Sequence, residues 1–212
     1  MSSLRIVISG ALLGLFGVLG GGLVGLSHQE TAARIADNER QILVRQLETL
    51  VPADQVDNDM LTDVISISAP DRLGAETTQV YRARRDGAPV ALVLSPVVTQ
   101  GYSGAIQMVV AVRHDARVAG VRVLSHRETP GLGDKIEIER SDWILGFDGR
   151  SLIEPPSTGW AVKRDGGEFD QFTGATITPR AVVRGVKDAL RYVREHRETL
   201  YETPSVAETD NG

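Results

Sequence analysis

The 212-residue sequence contains no cysteine. Disulfide bridges, thiolate metal sites and a cysteine nucleophile are therefore excluded. The four histidines are scattered and form no i, i+4 pair, so we predict no metal site. The phosphate-loop pattern G-x-x-x-x-G-K-[ST] is absent, and no pair of carboxylates stands out for acid–base chemistry. The sequence thus predicts no catalytic residue.

A basic excess is also missing. The chain has 23 Lys and Arg against 28 Asp and Glu, which gives a formal net charge of -5. Proteins that bind nucleic acid need a basic surface to neutralise phosphates. Nucleic acid is therefore not expected as a partner.

The first apolar segment, residues 6–27, has 22 positions without a charged residue. This length is close to the ~20 residues that a helix needs to cross a bilayer. We predict that residues 1–27 form a short amino-terminal tail and an uncleaved transmembrane anchor. A cleaved signal peptide is the alternative, although the segment is long for one and no clear small-x-small site precedes His28. Charge bias does not fix the orientation.

Seven glycines lie within this segment. Three pairs have small-xxx-small spacing, which lets another membrane helix pack closely: Gly10/Gly14, Gly17/Gly21 and Gly21/Gly25. Glycine is also simply common in transmembrane helices. Both interpretations stay open.

The remaining chain shows first helical and then strand-like patterns. Residues 28–52 are predicted as a connecting segment, and its amphipathic helical pattern, residues 31–50, ends before Pro52. Short apolar or alternating segments with turn signals such as Asp86-Gly87 predict an antiparallel sheet; they are 64–67, 78–84, 90–98, 105–112 and 118–124. The continuous apolar segments 90–98 and 105–112 predict strands covered on both faces.

The carboxyl-terminal half is predicted to be mostly loop before a last helix. Trp143, Ile144 and Phe147 are expected packing anchors, and residues 159–162 a strand. The last helix is predicted over 179–200, with Thr178 as its N-cap and Pro179 at its first position. The fold class is therefore α+β, an antiparallel sheet flanked by helices. This domain spans 53–202, and a flexible tail spans 203–212.

Three glycine-bearing stretches place small and hydroxylated residues together. They are Gly101-Tyr102-Ser103-Gly104, Glu128-Thr129-Pro130-Gly131-Leu132-Gly133 and Asp170-Gln171-Phe172-Thr173-Gly174-Ala175-Thr176. Each of the first two also has the composition of a turn. The third directly precedes the last helix, and its small residues let the backbone approach a ligand closely.

The third stretch matches the pattern D-x-x-[ST]-G-A-[ST]. It resembles the flavinylation motif of FMN-binding domains in the Rnf and Na⁺-NQR respiratory complexes. With the E-T-P-G-L-G stretch ahead of it and one amino-terminal span, the whole chain resembles the G subunit of the Rnf (Rsx) ion-translocating electron transport complex. One local departure is Pro179, where relatives often carry a small polar residue; it lies outside the attachment core.

The resemblance implies that the hydroxyl of Thr176 carries FMN through a phosphoester bond, which a separate flavin transferase makes from FAD. It also implies that Asp170 serves transferase recognition. The implied flavin contacts are Thr173, Gly174, Ala175, Tyr102, Gly104, Glu128, Thr129, Pro130, Gly131, Leu132 and Gly133. The function implied is that of an electron-carrier subunit, without a complete reaction of its own. The complex would couple electron transfer between ferredoxin and NAD to ion translocation.

The implied partners are the other membrane subunits of the complex and, during maturation, the transferase. The implied location is the bacterial inner membrane, crossed once, with the amino-terminal tail in the cytoplasm and the soluble domain in the periplasm. Three alternatives stay open at this point. One is the equivalent C subunit of Na⁺-NQR, which is typically longer. Another is a membrane-anchored flavin-binding regulatory module, although such proteins usually carry further domains. The third is a structural membrane adaptor without a cofactor.

Overall fold

The computed structural model describes residues 2–206, except for the side chains of residues 2–6, 23–30, 32, 33, 36 and 39. Two compact units divide the chain, Met1–Ile42 and Leu43–Gly212. The described part of the first unit, residues 2–42, lies within helix α1, Ser2–Leu50, which runs through the predicted anchor and connecting helix. Among residues with described side chains, no helix combines the length and apolar character needed to cross a membrane. In the predicted anchor, the side chains of 1–6 and 23–27 lie outside the described set, Gly25 among them.

The second unit is built on a six-stranded antiparallel sheet. The strands are β1 (Val64–Ile67), β2 (Thr78–Arg85), β3 (Ala88–Leu94), β4 (Val97–Val98), β5 (Ile106–Arg113) and β6 (Val118–Ser125), and helix α2 (Pro70–Leu73) lies between β1 and β2. The strand order is β1-β2-β3-β5-β4, and β6 also pairs with β5. The predicted α+β class and antiparallel sheet are confirmed.

Two strand predictions show how local chemistry shapes the sheet. Asp86 and Gly87 both have positive φ, at 51° and 74°, and connect β2 to β3 as the predicted hairpin turn. The predicted strand 90–98 is divided into β3 and β4. Pro96 lies between them, and its missing N–H prevents a continuous ladder.

Both faces of the central strands are buried, as the continuous apolar segments predict. On β5, Met108 and Val110 belong to one core cluster, whereas Val109 and Ala111 belong to the other. The first cluster includes the apolar side of helix α3, Ile177–Glu202, and the second contains Leu47 from the last turn of α1.

The segment between β6 and α3 contains short helical turns and two isolated bridges, Val162 to Phe169 and Phe172 to Ala175. The predicted strand at 159–162 is therefore wrong, since only Val162 of these residues forms a bridge. The predicted anchors Ile144 and Phe147 are fully buried, and Trp143 packs beside them. Phe147 stacks on Phe169 with ring centroids 4.6 Å apart. The turns of this segment are the 3-10 helices Asp134–Ile136, Asp142–Phe147, Ser157–Gly159 and Lys163–Asp165; another, Ala53–Gln55, follows α1.

The carboxyl end of α3 is held by arginines of β2. Arg82 donates to the carbonyl oxygen of Thr203, and Arg84 donates to that of Tyr201 at 2.7 Å. Ser205 is buried. Residues 207–212 of the predicted tail lie outside the described residues, and its flexibility stays a prediction.

Candidate functional site

A cleft of about 380 Å³ lies at the amino-terminal end of α3. Segments far apart in the sequence form its walls: the loop after β4, the loop after β6, and the residues that lead into α3. Its lining residues are Tyr102, Glu128, Thr129, Leu132, Gly133, Gly174, Ala175, Thr176, Ile177 and Thr178. All three glycine-bearing stretches therefore meet at one place.

The stretch before α3 is a tight turn. The amide of Ala175 donates to the carbonyl oxygen of Phe172 at 3.2 Å, and Gly174 has a φ of 81°. A left-handed residue at the third position is typical of a type II turn and favours glycine. A Cβ at Gly174 would lie 3.4 Å from Leu132 Cδ2, so the turn also packs closely on the opposite wall.

Thr176 is the N-cap of α3, and Ile177 is its first helical residue. The predicted N-cap at Thr178 and the predicted first helical position at Pro179 are therefore wrong. The helix begins two residues earlier, and the N-cap residue makes no side-chain capping bond. The first N–H groups of a helix have no intrahelical partner and favour an anion. Ile177 and Thr178 supply such groups, whereas Pro179 has none.

Glu128 joins the walls of the cleft from the inside. Its side chain is buried, with 4% of the residue exposed. One carboxylate oxygen accepts the backbone N–H of Ser103 at 3.0 Å, and the other accepts the hydroxyl of Thr178. One carboxylate thereby connects the 101–104 loop to the first turn of α3.

Close backbone approach makes room for this carboxylate. A Cβ at Gly101 would lie 2.8 Å from Glu128 Oε1, and one at Gly133 would lie 2.8 Å from Glu128 Cβ. Both distances are shorter than real Cβ contacts, so any larger residue would displace the loop or the carboxylate. The structure thus explains why both stretches contain glycine at these positions.

A histidine fixes the backbone of Glu128. The Glu128 N–H donates to Nδ1 of His126 at 2.9 Å, which leaves the proton on Nε2. Nε2 in turn donates to Glu137 Oε1 at 2.9 Å. The loop that carries Glu128 is therefore oriented by a hydrogen-bonded chain that ends at a partly exposed carboxylate.

Charged contacts hold the approach to α3. Asp170 forms an ion pair with Lys163 at 2.6 Å, with both side chains exposed. Arg180 in the first turns of α3 donates two hydrogen bonds to Asp165, at 2.5 and 2.6 Å. These bonds lower the pKa of Asp165 below its usual value. Within the described chain, no group of three or more metal-ligating side chains comes together.

Most of the predicted site residues line the cleft: Thr176, Gly174, Ala175, Tyr102, Glu128, Thr129, Leu132 and Gly133. Thr173, Gly104, Pro130, Gly131 and Asp170 are not among the lining residues. Two of these still shape the loop, since Pro130 and Gly131 form a turn closed by Leu132 N–H on Thr129 O at 3.1 Å. Ile177 and Thr178 were not predicted as contacts. Their position directly after Thr176 could have predicted these contacts. It did not, because the helix was predicted to start two residues too late.

The cleft has the chemistry to hold a flavin mononucleotide. Its volume falls in the ~300–1,000 Å³ range of small-molecule sites. Tyr102, Leu132 and Ile177 are among its lining residues and are 68%, 41% and 46% exposed, so they offer apolar contact to a planar ring. The start of α3 offers N–H donors to a phosphate. An apolar wall beside an anion-binding helix end matches the two halves of FMN.

Comparison with known proteins gives two family matches. The FMN-binding domain matches residues 101–191, and the RnfG N-terminal region matches residues 1–50. Curated relatives are named as the G subunit of an ion-translocating oxidoreductase complex. The protein of Pseudomonas aeruginosa (strain UCBPP-PA14) is 51% identical over 190 residues, 89% of each chain. That of Pseudoalteromonas atlantica is 45% identical over 91% of this chain and 90% of its own. That of Vibrio cholerae (strain M66-2) is 42% identical over 94% of this chain and 96% of its own.

Proposed function

The chain belongs to the G-subunit family of ion-translocating oxidoreductase complexes, and we propose that it carries FMN covalently on Thr176 as an electron relay. The predicted resemblance to this family is confirmed, because the curated relatives bear its name rather than that of any alternative. In the proposed complex, electron transfer between ferredoxin and NAD drives ion transport. The protein completes no reaction alone.

The position of Thr176 carries the proposal. Its side chain lines the cleft, is partly exposed, and makes no capping hydrogen bond at the start of α3. A hydroxyl in this position is accessible to a modifying enzyme. A phosphate attached to it would lie beside the N–H groups of Ile177 and Thr178, where the helix dipole favours negative charge.

In the proposed attachment, FAD donates its FMN portion to the threonine. The Thr176 oxygen forms a bond to the flavin-side phosphorus, the pyrophosphate bond of FAD breaks, AMP leaves, and the hydroxyl proton is released. Gly174 and Ala175 lack bulky side chains, so they leave space for the phosphate and for the transferase. The exposed Asp170 carboxylate is available for recognition by that enzyme.

Bound flavin supplies one-electron chemistry, and the protein supplies position and surroundings. Tyr102, Leu132 and Ile177 contribute apolar contact area at the open side of the cleft. Glu128 and Gly133 form its inner wall. A covalent link prevents loss of the carrier from a cleft this open to solvent.

Residues 1–27 are proposed as a membrane anchor. Eight large apolar side chains between positions 7 and 19 expose 50–76% of their surface. Contiguous apolar exposure of this kind is typical of surfaces that contact lipid or partners. We place the anchor in the bacterial inner membrane, beside the other subunits of the complex, and the flavin domain in the periplasm.

Denaturing electrophoresis tests the covalent link. The full chain, co-expressed with a flavin transferase, should give a fluorescent band that survives unfolding. The Thr176→Ala variant should give none, while Thr173→Ser, which alters a nearby threonine but keeps the D-x-x-[ST]-G-A-[ST] pattern, should keep it. A colourless wild-type protein would contradict the proposed function.

Cell fractionation tests the anchor independently. Expressed without other subunits, the full chain should sediment with membranes, and a chain lacking residues 1–27 should remain in the soluble fraction. A full chain that stays soluble would overturn the anchor proposal without affecting the flavin proposal.

A further inference from the structure

The segment at the start of α3 presents three threonines with the same chemistry, and the proposed function uses only one. Thr173 is exposed in the turn, Thr176 is partly exposed in the cleft, and Thr178 is fully buried at 0%. Thr178 lies only two residues beyond Thr176 and also lines the cleft wall. Something in the structure must therefore distinguish the two.

The hydroxyl of Thr178 is already engaged. It donates to Glu128 Oε2 within the protein interior. The space around it is closed as well, because even a Cβ at Gly133 would lie 3.0 Å from Thr178 Oγ1. A phosphate cannot reach this oxygen unless the 128–133 loop moves away.

Glu128 is fixed firmly enough to act as this barrier. Its second oxygen accepts the Ser103 N–H at 3.0 Å, and its own N–H is held by His126 at 2.9 Å. Thr176 makes no capping bond with its hydroxyl and lies on the open side.

We propose that Glu128 is a specificity-determining residue for flavin attachment, because it occupies and shields Thr178 and leaves Thr176 as the acceptor. This inference rests on the proposed function. The transfer itself is unchanged: a threonine oxygen bonds to the flavin-side phosphorus of FAD, the pyrophosphate bond breaks, and AMP leaves with release of the hydroxyl proton. Glu128 acts on which oxygen is reached, and it takes no part in bond making.

The test uses the full chain co-expressed with a flavin transferase, and it locates the flavin by fragmentation of the tryptic peptide 165–180. Glu128→Ala is expected to give a flavin peptide at Thr178 in addition to Thr176. Glu128→Gln is the matched control, because its amide can accept from Ser103 and donate to Thr178. It is expected to give Thr176 alone. In Glu128→Ala combined with Thr178→Ala, the second product is expected to disappear.

Three results would overturn the inference. Glu128→Ala could carry flavin on Thr176 only, or it could fold without carrying any flavin. In the third, Glu128→Gln would carry flavin on Thr178. If circular dichroism shows that Glu128→Ala is unfolded, the position of the flavin is measured in Glu128→Asp instead. Its shorter side chain cannot span Ser103 and Thr178, so a Thr178 product is expected, and its absence overturns the inference. A wild-type chain without flavin on Thr176 would instead reject the proposed function, whatever the Glu128 variants show.

Discussion

Trp143 donates its indole N–H to the backbone carbonyl oxygen of Asp170 at 2.8 Å. This bond joins the 3-10 helix Asp142–Phe147 to the first residue of the D-x-x-T-G-A-T segment. The Trp143 ring also meets Phe172 edge-on, with centroids 5.1 Å apart. Such aromatic pairs contribute about 0.5–1.5 kcal/mol beyond area burial. The entry to the attachment segment is therefore fixed by one side chain 27 residues upstream.

Replacing Trp143 with Phe tests this support. The variant loses the hydrogen bond and keeps an aromatic ring, so the free energy of unfolding should fall by about 1 kcal/mol. The fraction of protein that carries flavin should fall too, because the segment is less well positioned. Denaturant titration and flavin absorbance measure the two effects. An unchanged denaturation midpoint would show that the hydrogen bond does not contribute.

Asp170 and Lys163 offer a matched pair of variants. Their ion pair is exposed on both sides, so breaking it should change stability by less than about 1 kcal/mol. Asp170→Asn should slow flavin attachment, because it removes the carboxylate that we assign to transferase recognition. Lys163→Ala breaks the same ion pair but keeps that carboxylate, and should be modified at the wild-type rate. Equal rates in both variants would contradict the assigned role.

Tyr201 makes the free energy of unfolding depend on pH in the alkaline range. Burial raises the pKa of Tyr201 from its usual 10.0 to about 12, with a smaller opposing effect of Arg84 and Arg197. Between these values the unfolded phenol loses its proton while the folded one keeps it. The contribution of Tyr201 to the free energy of unfolding should therefore fall as pH rises through this window, and it should stay constant at pH values well below 10.0.

Tyr201→Phe should reduce that pH dependence and leave the part that comes from Tyr81 and Tyr192, whose pKa values burial also raises. It should leave stability at neutral pH equal or higher, because the Tyr201 hydroxyl is buried without a hydrogen-bond partner in the described part of the chain. Thermal unfolding from neutral pH to about 12 measures both effects.

The fold was largely predictable because its signals are local. Alternation and turn residues place the strands to within a few positions, and the unbroken apolar segment of β5 predicts burial on both faces. The predicted start of α3 failed for a physical reason. Proline is compatible with the whole first turn of a helix, so Pro179 did not define the first position. The helix starts at Ile177.

The site was only partly predictable from the sequence. The motif predicts Thr176 as the acceptor, which stays a prediction. The family resemblance groups the three stretches, and in the structure residues from all three line one cleft. The bond from Thr178 to Glu128 spans 50 residues, and no local pattern encodes it. Likewise, Gly133 leaves room for the Glu128 side chain packed against its backbone. Only the three-dimensional structure shows this contact.

Peptide mass spectrometry of the wild-type chain tests the central claim most directly. Trypsin releases residues 165–180 as one peptide, which contains Thr173, Thr176 and Thr178. After co-expression with the transferase, we expect this peptide to gain the mass of one FMN less one water. Fragment ions should place the whole addition on Thr176. An unmodified peptide, or an addition on Thr173 or Thr178, would contradict the account.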